Sequence, residues 1–416
     1  MKSINTITLA CLSALTVSAA SFAKDSVEVL HGWSSGGEAA ALQVLKDNLD
    51  NQGIGWEDLS VAGAAGANAR NYLRVRAAFG NPPTAVVMGG YTIRNWAQEG
   101  VMANLDAVAK KEGWENKVPP ALKDFSKHDG HWVASPVGIH RINWIWANKR
   151  IFDTLGLDVP TTFPELIQTA RTIRAAGYLP FAAGGQAWQE TTIFDSAVVS
   201  AGGVELYQKA FGDMNIAAIK SPEMIQAFNQ LGEFRTWQDE GYTGRDWNVA
   251  TKMVIDGKAA MQVMGDWAKG EFINTGKVPD KDFLCFDYPG TQGSFIFNAD
   301  QFGMFAVSQD KQKAQQAMAT AIMQPEFQIG FNKVKGSIPP NMDISPEAFD
   351  ACAQKSMQSL KSAVANNKVV GSIAHTHMVP AEIQTAIYTV VNHYMNSDMS
   401  SYEAAQTLGD AIEFLK

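Results

Sequence analysis

The densest group of chemically useful side chains lies in residues 31–38, which read HGWSSGGE. Trp33 supplies an aromatic face and Glu38 a carboxylate, and Ser34 and Ser35 add hydroxyls between them. An indole can cover the C–H faces of a ligand while polar groups bond its hydroxyls. The combination therefore suits a polyhydroxylated, partly apolar molecule such as a sugar.

The same segment also allows an enzymatic interpretation. Gly32 to Gly36 match the G-x-S-x-G pattern of a hydrolase nucleophile, and Asp300 and His375 follow in hydrolase order. That motif should lie in the middle of a sheet, after several strands and an oxyanion loop, whereas here it follows the first predicted strand. Glu38 and Asp300 could flank a glycosidic bond, but a glycosidase needs a defined carboxylate separation. A binding protein is favoured, and a secreted hydrolase is the alternative.

Neither a metal ion nor a phosphate group is predicted. His375 and His377 could supply two metal ligands, but no third His, Cys or carboxylate stands at a usual spacing. The glycine-rich loop at 62–67 lacks the lysine and the following hydroxyl residue that a phosphate-binding loop requires. We therefore expect no cofactor.

Strands followed by helices must position these side chains. Residues 26–30 alternate in polarity and are rich in β-forming types, which predicts a strand, and residues 38–45 favour a helix. The cluster then occupies the turn at the carboxyl end of a strand, where open α/β sheets bind ligands. The alternation continues with strands at 59–61 and 84–88 and helices at 68–79 and 92–98. This order indicates a parallel sheet in an α/β fold.

The remainder of the chain mixes both element types, and residues 105–125 are expected to be helical and then irregular. Further strands are predicted at 130–136, 143–147, 258–264, 283–288, 294–298 and 303–307. Further helices are predicted at 151–155, 162–177, 191–202, 222–238, 248–256, 312–323, 325–333, 346–363 and 382–396.

Residues 1–23 have the pattern of a cleaved secretory signal peptide: Lys2, a short apolar run and a small-x-small cleavage site. The run is too short for a membrane span, and a lipoprotein site at Cys11 would leave too short an apolar core before the cysteine. No later stretch is apolar over the length of a span, so we expect a soluble, exported mature chain. The net charge of −8, without a basic run, argues against nucleic acid or an anionic membrane surface as partner.

Two cysteines, Cys285 and Cys352, remain after the predicted cleavage. In an exported chain an even pair most simply forms one disulfide. Two buried thiols that never meet are the alternative, because the sequence does not show their separation.

Several longer segments together resemble the periplasmic sugar-binding proteins of ABC importers, in the glucose/mannose-binding type of the family-1 extracellular solute-binding proteins. The resemblance covers essentially the whole mature chain. Its segments are VEVLHGWSSGGE (27–38), GNPPTAVVMGG (80–90), PVGIHRINWIWAN (136–148), GRDWNVATKMVIDGKAAMQVMGDWAKGEF (244–272), KGSIP (335–339) and SIAHTHM (372–378).

The resemblance implies two α/β lobes joined by a hinge, with the ligand in a cleft between them. It places one lobe at 24–137 plus 297–341 and the other at 138–296 plus 342–416. The paired cysteines also match this family, which favours the disulfide.

Carried over residue by residue, the resemblance implies a sugar site with two aromatic platforms, two carboxylates and two hydrogen-bond donors. The platforms are Trp33 and Trp267, the carboxylates Glu38 and Asp300, and the donors Lys335 and His375. Charge-assisted bonds in a closed cleft are the strong kind. Further candidates for lining the cleft are Ser34, Met88, Gln186, Trp188, Gln189 and Trp247.

Each of these residues also has an ordinary structural interpretation. Trp267 could pack in the core, and Glu38 could favour a helix N-terminus through the dipole. Lys335 could be a solvated loop lysine, and His375 a satisfied structural histidine. The adjacent pair His140-Arg141 is expected to organise the hinge or an ion pair.

Two positions depart from the glucose-binding members of the family. Those members carry two tryptophans where this chain has Gly32-Trp33, and a lysine near the position of Met88. Loss of an indole opens volume, and a thioether in place of a cation removes a donor and adds soft apolar surface. The changes predict a wider and less polar site, which favours a disaccharide, a glycoside or a substituted hexose over glucose.

The resemblance further implies a monomer that performs no chemistry on the sugar and delivers it to a membrane permease with ATPase subunits. A chemoreceptor is a possible second partner.

Overall fold

The computed structural model describes residues 25–63 and 66–416. The predicted signal peptide, residues 1–23, lies outside the described residues. The strands are β1 (Ser26–His31), β2 (Gly55–Ser60), β3 (Ala85–Met88), β4 (Lys127–His128), β5 (His131–Trp132), β6 (Ala134–Arg141), β7 (Trp144–Asn148), β8 (Leu179–Phe181), β9 (Ala259–Val263), β10 (Phe283–Asp287), β11 (Phe295–Met304) and β12 (Val369–Gly371).

Helices make up much of the rest of the described chain. They are α1 (Gly36–Asn51), α2 (Ala67–Ala78), α3 (Tyr91–Gln98), α4 (Asp106–Glu112), α5 (Trp114–Lys117), α6 (Pro120–Ser126), α7 (Lys149–Leu155), α8 (Phe163–Ala175), α9 (Ala187–Tyr207), α10 (Ile216–Ile219), α11 (Pro222–Trp237), α12 (Trp247–Ile255), α13 (Ala268–Asn274), α14 (Gln309–Ile322), α15 (Pro325–Lys335), α16 (Ala351–Ala365), α17 (Ala381–Met395) and α18 (Ser401–Leu415). A π-helical turn at Gln208–Gly212 and a 3₁₀ turn at Pro346–Ala348 join them.

The first sheet has the strand order β12-β11-β3-β1-β2, and β6 also pairs with β11. Strand β1 runs parallel to both β2 and β3, as the strand–helix alternation predicts. Strand β11 is antiparallel to β3 and β6. The carboxyl ends of β1 and β3 therefore meet at one edge of the sheet, beside the turns that begin at Gly32 and Gly89.

The second sheet has the order β10-β7-β9-β8, with β7 antiparallel to both of its neighbours and β8 parallel to β9. Strands β7 and β9 at its centre are buried throughout, and Trp144 and Trp146 of β7 are completely enclosed. Residues of α8, α9, α11, α17 and α18 pack with them in one hydrophobic core. Residues of β1, α1, α14 and α15 belong to another core with much of β11.

The long strand β11 connects these cores. Ile296 packs in the core of the second sheet, whereas Phe297 and Phe302 pack in that of the first. The backbone N–H of Ile142, just after β6, donates to Ile296 O at 2.9 Å. The molecule is thus a two-lobed α/β protein whose β6 and β11 run from one lobe toward the other.

The lobes also touch beside this edge of the first sheet. Tyr91 N–H donates to Thr376 O at 2.8 Å, and Gly37 N–H donates to Glu271 Oε1 at 2.9 Å. The first contact requires glycine at position 90, where φ is +56° and a Cβ would lie 1.9 Å from Thr376 O. The predicted lobe boundaries remain a prediction, since α16 has residues in both cores, such as Cys352 in one and Leu360 in the other.

Several strands differ from the predictions in an instructive way. The predicted strands at 294–298 and 303–307 form the single strand β11, with a register shift between Asp300 and Gln301. The predicted strand at 130–136 extends as β6 through Arg141, and His140 and Arg141 are fully buried. Charged residues interrupt the apolar pattern in both places. The strand predicted from the pattern therefore ends too early, whereas the extended backbone continues past the charged residues. Strands β4, β8 and β12 and helices α10, α13 and α18 have no counterpart among the predicted elements.

The predicted disulfide is confirmed. Cys285 of β10 is bonded to Cys352 of α16, with a Cα–Cα distance of 6.1 Å. Within the described residues, no helix combines the length and the apolar character needed to cross a bilayer. Residues 25–63 and 66–416 also contain no cluster of three or more His, Cys, Asp or Glu side chains that could hold a metal ion.

Candidate ligand-binding site

A cavity of about 690 Å³ lies between the lobes. The turns after β1 and β3, the bulge of β11 and the end of α15 line one side. The starts of α9 and α12, the turn before α13 and the segment after β12 line the other. All the candidates predicted from the sequence except Gln189 line this cavity: Trp33, Ser34, Glu38, Met88, Gln186, Trp188, Trp247, Trp267, Asp300, Lys335 and His375. Whether they bind a ligand remains a prediction.

The turn after β1 places its side chains through the cap of α1. The Ser35 hydroxyl accepts a hydrogen bond from Glu38 N–H at 3.3 Å, which is the usual arrangement at a helix N-terminus. Ser35 is buried by this role, while Ser34 stays exposed at the cavity. Glu38 lies in the first turn of α1 and reaches the cavity from there.

Ionised groups cluster mainly on the side formed by β11 and the end of α15, where Asp266 joins them from the turn before α13. Lys335 Nζ lies 3.5 Å from both Glu38 Oε1 and Asp300 Oδ2. His140 bonds two carboxylates, Asp266 Oδ1 through Nδ1 at 2.5 Å and Asp300 Oδ2 through Nε2 at 2.9 Å. Because carboxylate oxygens only accept, both nitrogens of His140 donate, and the ring is an imidazolium. We call these five residues the charged side.

The charges stabilise one another despite their burial. Burial by itself would lower the pKa of His140, but the carboxylates of Asp266 and Asp300 raise it above its ordinary value. Burial would raise the pKa of Asp300, yet Lys335 and His140 hold it well below the ordinary range. Burial would lower the pKa of Lys335, whereas Asp300 and Glu38 raise it.

Two carboxylate oxygens on this side are left over. The hydrogen bonds and ion pairs of Asp300 use Oδ2, and the ion pair of Glu38 uses Oε1. Asp300 Oδ1 and Glu38 Oε2 make no hydrogen bond within the described residues. The charged side can therefore accept hydrogen bonds from a ligand through two oxygens while its ion pairs persist.

Aromatic rings form the opposite side, contributed by the second lobe. Trp267 lies at its centre, with ring centroids 6.4 Å from Trp188, 6.4 Å from Trp247 and 5.0 Å from His375. Trp267 and Trp188 are largely buried, and Trp247 is half-buried. Burial lowers the pKa of His375 to about 3, so this ring is neutral near neutral pH. We call these four residues the aromatic side.

Trp33 belongs to the charged side in position but is mostly core. Its ring is 7% exposed and packs against Phe302 and Phe331, with centroids 5.9 Å and 5.8 Å away. Lys335 Nζ lies 5.2 Å from the centroid of the indole. Trp33 therefore supports the lysine through a cation–π contact and offers a ligand little free face.

Comparison with known proteins agrees with this architecture. A family model described as bacterial extracellular solute-binding protein matches residues 33–322. This match covers more than half of the chain. The chain belongs to the bacterial extracellular solute-binding protein family.

Close relatives of this solute-binding protein align over almost the whole chain. A probable sugar-binding periplasmic protein of Brucella suis biovar 1 (strain 1330) is 48% identical over 416 residues, which are 100% of this chain and 99% of the relative. A protein of the same name from Rhizobium meliloti (strain 1021) is 49% identical over 411 residues, 99% of each chain.

Solved structures share the fold at much lower identity. A chitin oligosaccharide binding protein superposes on the solute-binding protein with a TM-score of 0.79 at 19% identity, covering 94% of this chain and 100% of that chain. Maltose-bound MalE3 of T. maritima gives a TM-score of 0.77 at 16% identity, covering 94% and 100%. These neighbours establish the two-lobed fold of the solute-binding protein.

The side-chain geometry of this solute-binding protein does not support the hydrolase alternative. Asp300 bonds His140 and not His375, and His375 Nδ1 lies 2.9 Å from Ser372 Oγ. Within the described residues, Ser34 has no hydrogen bond to either histidine. The acid–histidine–serine chain that activates a nucleophile is therefore not formed.

Two of the candidates, Gln186 and Gln189, form hydrogen bonds with other groups of the protein. Gln186 accepts hydrogen bonds from Trp188 Nε1 at 2.7 Å and Gln189 Nε2 at 2.9 Å, and it donates to Asp246 Oδ1 at 2.9 Å. Its amide thus orients the indole of Trp188. Gln189, unlike Gln186, does not line the cavity and binds the carbonyl of Arg245 at 2.8 Å.

The two departures from the glucose-binding members have visible surroundings. A Cβ on Gly32 would lie 3.3 Å from Gly66 Cα and 3.4 Å from Val61 O, so backbone occupies the direction that a second indole would take. Met88 lines the cavity and packs into a small core with Leu30 and Phe305. Its thioether adds apolar surface at the end of β3.

The cavity is also lined by residues that were not predicted from the sequence, namely Arg70, Asp246, Asn248, Asn298, Thr376, Gln384 and Tyr388. His140 is expected from the sequence to serve the hinge or an ion pair, and it does form ion pairs, but beside the cavity. A signal for His140 was present in the sequence. A histidine that follows the apolar Val137 and Ile139 on a buried strand needs partners.

Proposed function

We propose that this protein is the periplasmic substrate-binding component of a carbohydrate ABC importer. The observation that carries the proposal is a cavity between two lobes with ionised acceptors on one side and indoles on the other. A sugar matches it, because equatorial hydroxyls can donate to Asp300 Oδ1 and Glu38 Oε2 while C–H faces lie against Trp247 and Trp267. The relatives named probable sugar-binding periplasmic protein support the same ligand class.

The size of the cavity favours a ligand larger than one hexose. Its volume of about 690 Å³ lies within the range in which proteins enclose drug-sized ligands, about 300–1,000 Å³. Met88 adds apolar lining where the glucose-binding members have a lysine. A disaccharide, a glycoside or a substituted hexose is therefore the proposed ligand.

In the proposed transport cycle, the lobes close around the sugar by a hinge motion. The sugar binds the charged side first and bridges to the aromatic side, and closure about the β6–β11 connections buries it. The greater affinity of the sugar for the closed form drives the change. The closed protein, acting as a monomer, then docks on a permease with its ATPase subunits and releases the unmodified sugar. A chemoreceptor that reads the same closed surface is a second proposed partner.

Calorimetric titration of the mature protein tests the proposal. The panel contains glucose, mannose, galactose, alkyl glucosides and disaccharides, and we expect the tightest binding from a glucoside or a disaccharide. Tight binding of glucose alone would contradict the proposed ligand size. Binding of no sugar would contradict the function.

A parallel assay tests whether the bound sugar is left unchanged. Nitrophenyl glycosides are incubated with the wild-type protein and with Glu38→Gln. We expect no release of nitrophenol from either, and release that is lost in the variant would show a glycosidase.

A further inference from the structure

A completely buried carboxylate stands behind the aromatic side. Asp195 of α9 lies within hydrogen-bond distance of the Tyr207 hydroxyl at 2.7 Å and of the Ser372 hydroxyl at 2.5 Å. The backbone N–H groups of Ile373 and Ala374 donate to its two oxygens at 3.1 Å and 3.4 Å. Because each oxygen already accepts a backbone N–H, the group has the surroundings of an ionised acceptor.

Ser372 connects this carboxylate to the cavity. Its hydroxyl carries one proton, and the short contact to Asp195 Oδ2 assigns that proton to the carboxylate bond. The remaining lone pairs of Ser372 Oγ face His375 Nδ1 at 2.9 Å. A hydroxyl that already donates can only accept here, so His375 Nδ1 must carry the hydrogen.

The neutral state of His375 completes the assignment. A neutral imidazole carries one proton, and that proton stands on Nδ1, so Nε2 keeps its lone pair. Nε2 makes no hydrogen bond within the described residues, although His375 lines the cavity. His377 also has an Nε2 without a hydrogen-bond partner, but that atom is buried and His377 does not line the cavity.

We propose that Asp195 and Ser372 hold His375 in the tautomer protonated on Nδ1, so that Nε2 accepts a hydrogen bond from a ligand hydroxyl. The acceptor role rests on the proposed function and is proposed in place of the expected donor role of His375. Asp195 and Ser372 are positioning residues, since they act on the ligand only through the ring. With Asp300, Glu38 and His375 as acceptors, the site selects a ligand by its hydroxyl protons and not only by its oxygen atoms.

The tautomer can be measured without any sugar. Protein labelled with ¹⁵N at histidine is studied by long-range ¹H–¹⁵N correlation at pH 7.5, and the signals are assigned with His375→Gln. We expect Nδ1 of His375 to be protonated in the wild type and in Ser372→Thr, which keeps the hydroxyl. In Ser372→Ala we expect a shift toward the form protonated on Nε2. A wild-type ring protonated on Nε2 would overturn the proposal.

A binding series shows whether the lone pair is used. The probes are methyl glucoside, its singly deoxygenated analogues and the matching deoxyfluoro analogues, because fluorine can replace a hydroxyl as acceptor but not as donor. At one position we expect both replacements to weaken binding to the wild type by about tenfold or more. In Ser372→Ala that penalty should fall to about twofold at the same position.

A matched variant separates this effect from general loosening. Ser356 of α16 is also buried, and its hydroxyl has no hydrogen-bond partner within the described residues. Ser356→Ala should keep the wild-type penalty at every position. Retention of affinity by the fluoro analogue at each position where the deoxy analogue loses it would overturn the proposal. If the wild type bound no sugar, the proposed function would fail, while the tautomer measurement would still decide the assignment.

Discussion

The polar groups on the two sides of the cavity are stabilised in different ways. On the charged side, Lys335, His140 and Asp300 neutralise one another before a ligand arrives, and single oxygens remain for recognition. On the aromatic side, polar atoms are tied back into the protein, as Trp188 is to Gln186 and His375 to Ser372. In the proposed function, ionised groups bind the sugar mainly from one side and apolar surface from the other. Closure of the lobes would then bring both onto one ligand.

The largest effect is expected from removing the cation of the charged side. Lys335→Met removes a buried cation and leaves Glu38 and Asp300, which are 15% and 17% exposed, without their shared partner. Breaking a buried ion pair in this way costs about 3–5 kcal/mol of folding free energy. We also expect sugar affinity to fall by about 100-fold or more. Urea denaturation and calorimetric titration measure the two quantities.

Lys269 provides the matched control. It is 1% exposed and pairs with Asp350 at 2.8 Å, but it does not line the cavity. Lys269→Met should lower the free energy of unfolding by a similar amount and leave sugar affinity within about twofold. Equal losses of affinity in both variants would mean that the charged side acts through stability alone.

The two sides should also respond to pH with opposite signs. Asp300 has a lowered pKa, so its contribution to stability is present above the ordinary value of 3.8 and is lost as the pH falls below it. Asp195, behind the aromatic side, has its pKa raised by burial from 3.8 to about 6. Its folded form holds the proton longer than the unfolded chain, so stability is lost as the pH rises from 3.8 to 6, by about 3 kcal/mol.

Unfolding by urea between pH 3 and pH 7 checks these signs. The stability difference between wild type and Asp300→Asn should shrink as the pH falls. The difference between wild type and Asp195→Asn should shrink as the pH rises. If both stability differences changed with pH in the same direction, the predicted contrast between the two sides would be wrong.

A smaller loss is expected from the exposed part of the aromatic side. Trp247→Ala removes the half-buried indole at the start of α12, and affinity should fall by about tenfold, or about 1.4 kcal/mol. Trp56, half-buried on β2 outside the cavity, serves as the control, and Trp56→Ala should leave titrations unchanged. An unchanged affinity in Trp247→Ala would mean that only the buried rings of the aromatic side contribute to sugar binding.

The smallest change tests specificity. Met88→Lys restores a cation at the end of β3, and we expect the ratio of glucose to disaccharide affinity to rise by about threefold to tenfold. Met342, which is exposed and does not line the cavity, gives the control Met342→Lys. A glucose preference that stays constant in Met88→Lys would show that this position does not set the ligand size.

Local patterns predicted much of the fold. The strand–turn–helix units around Gly32 and Gly89 needed only alternating polarity, helix formers and glycine, and they appear as β1–α1 and β3–α3. The patterns failed where a charge sits in a strand interior, at His140 in β6 and Asp300 in β11. Those charges are tolerated because they pair with each other across the strands, and a pattern read along one segment does not contain the partner.

The sequence by itself determined the family resemblance, the disulfide and the candidates that line the cavity. Only the tertiary structure decided their roles. Trp33 supports Lys335, Gln186 orients Trp188, and His375 is fixed as an acceptor by a carboxylate far from it in the sequence. The reason is physical: residue type sets what a side chain can donate or accept. Which of those capacities remains for a ligand depends on partners that folding brings within hydrogen-bond distance.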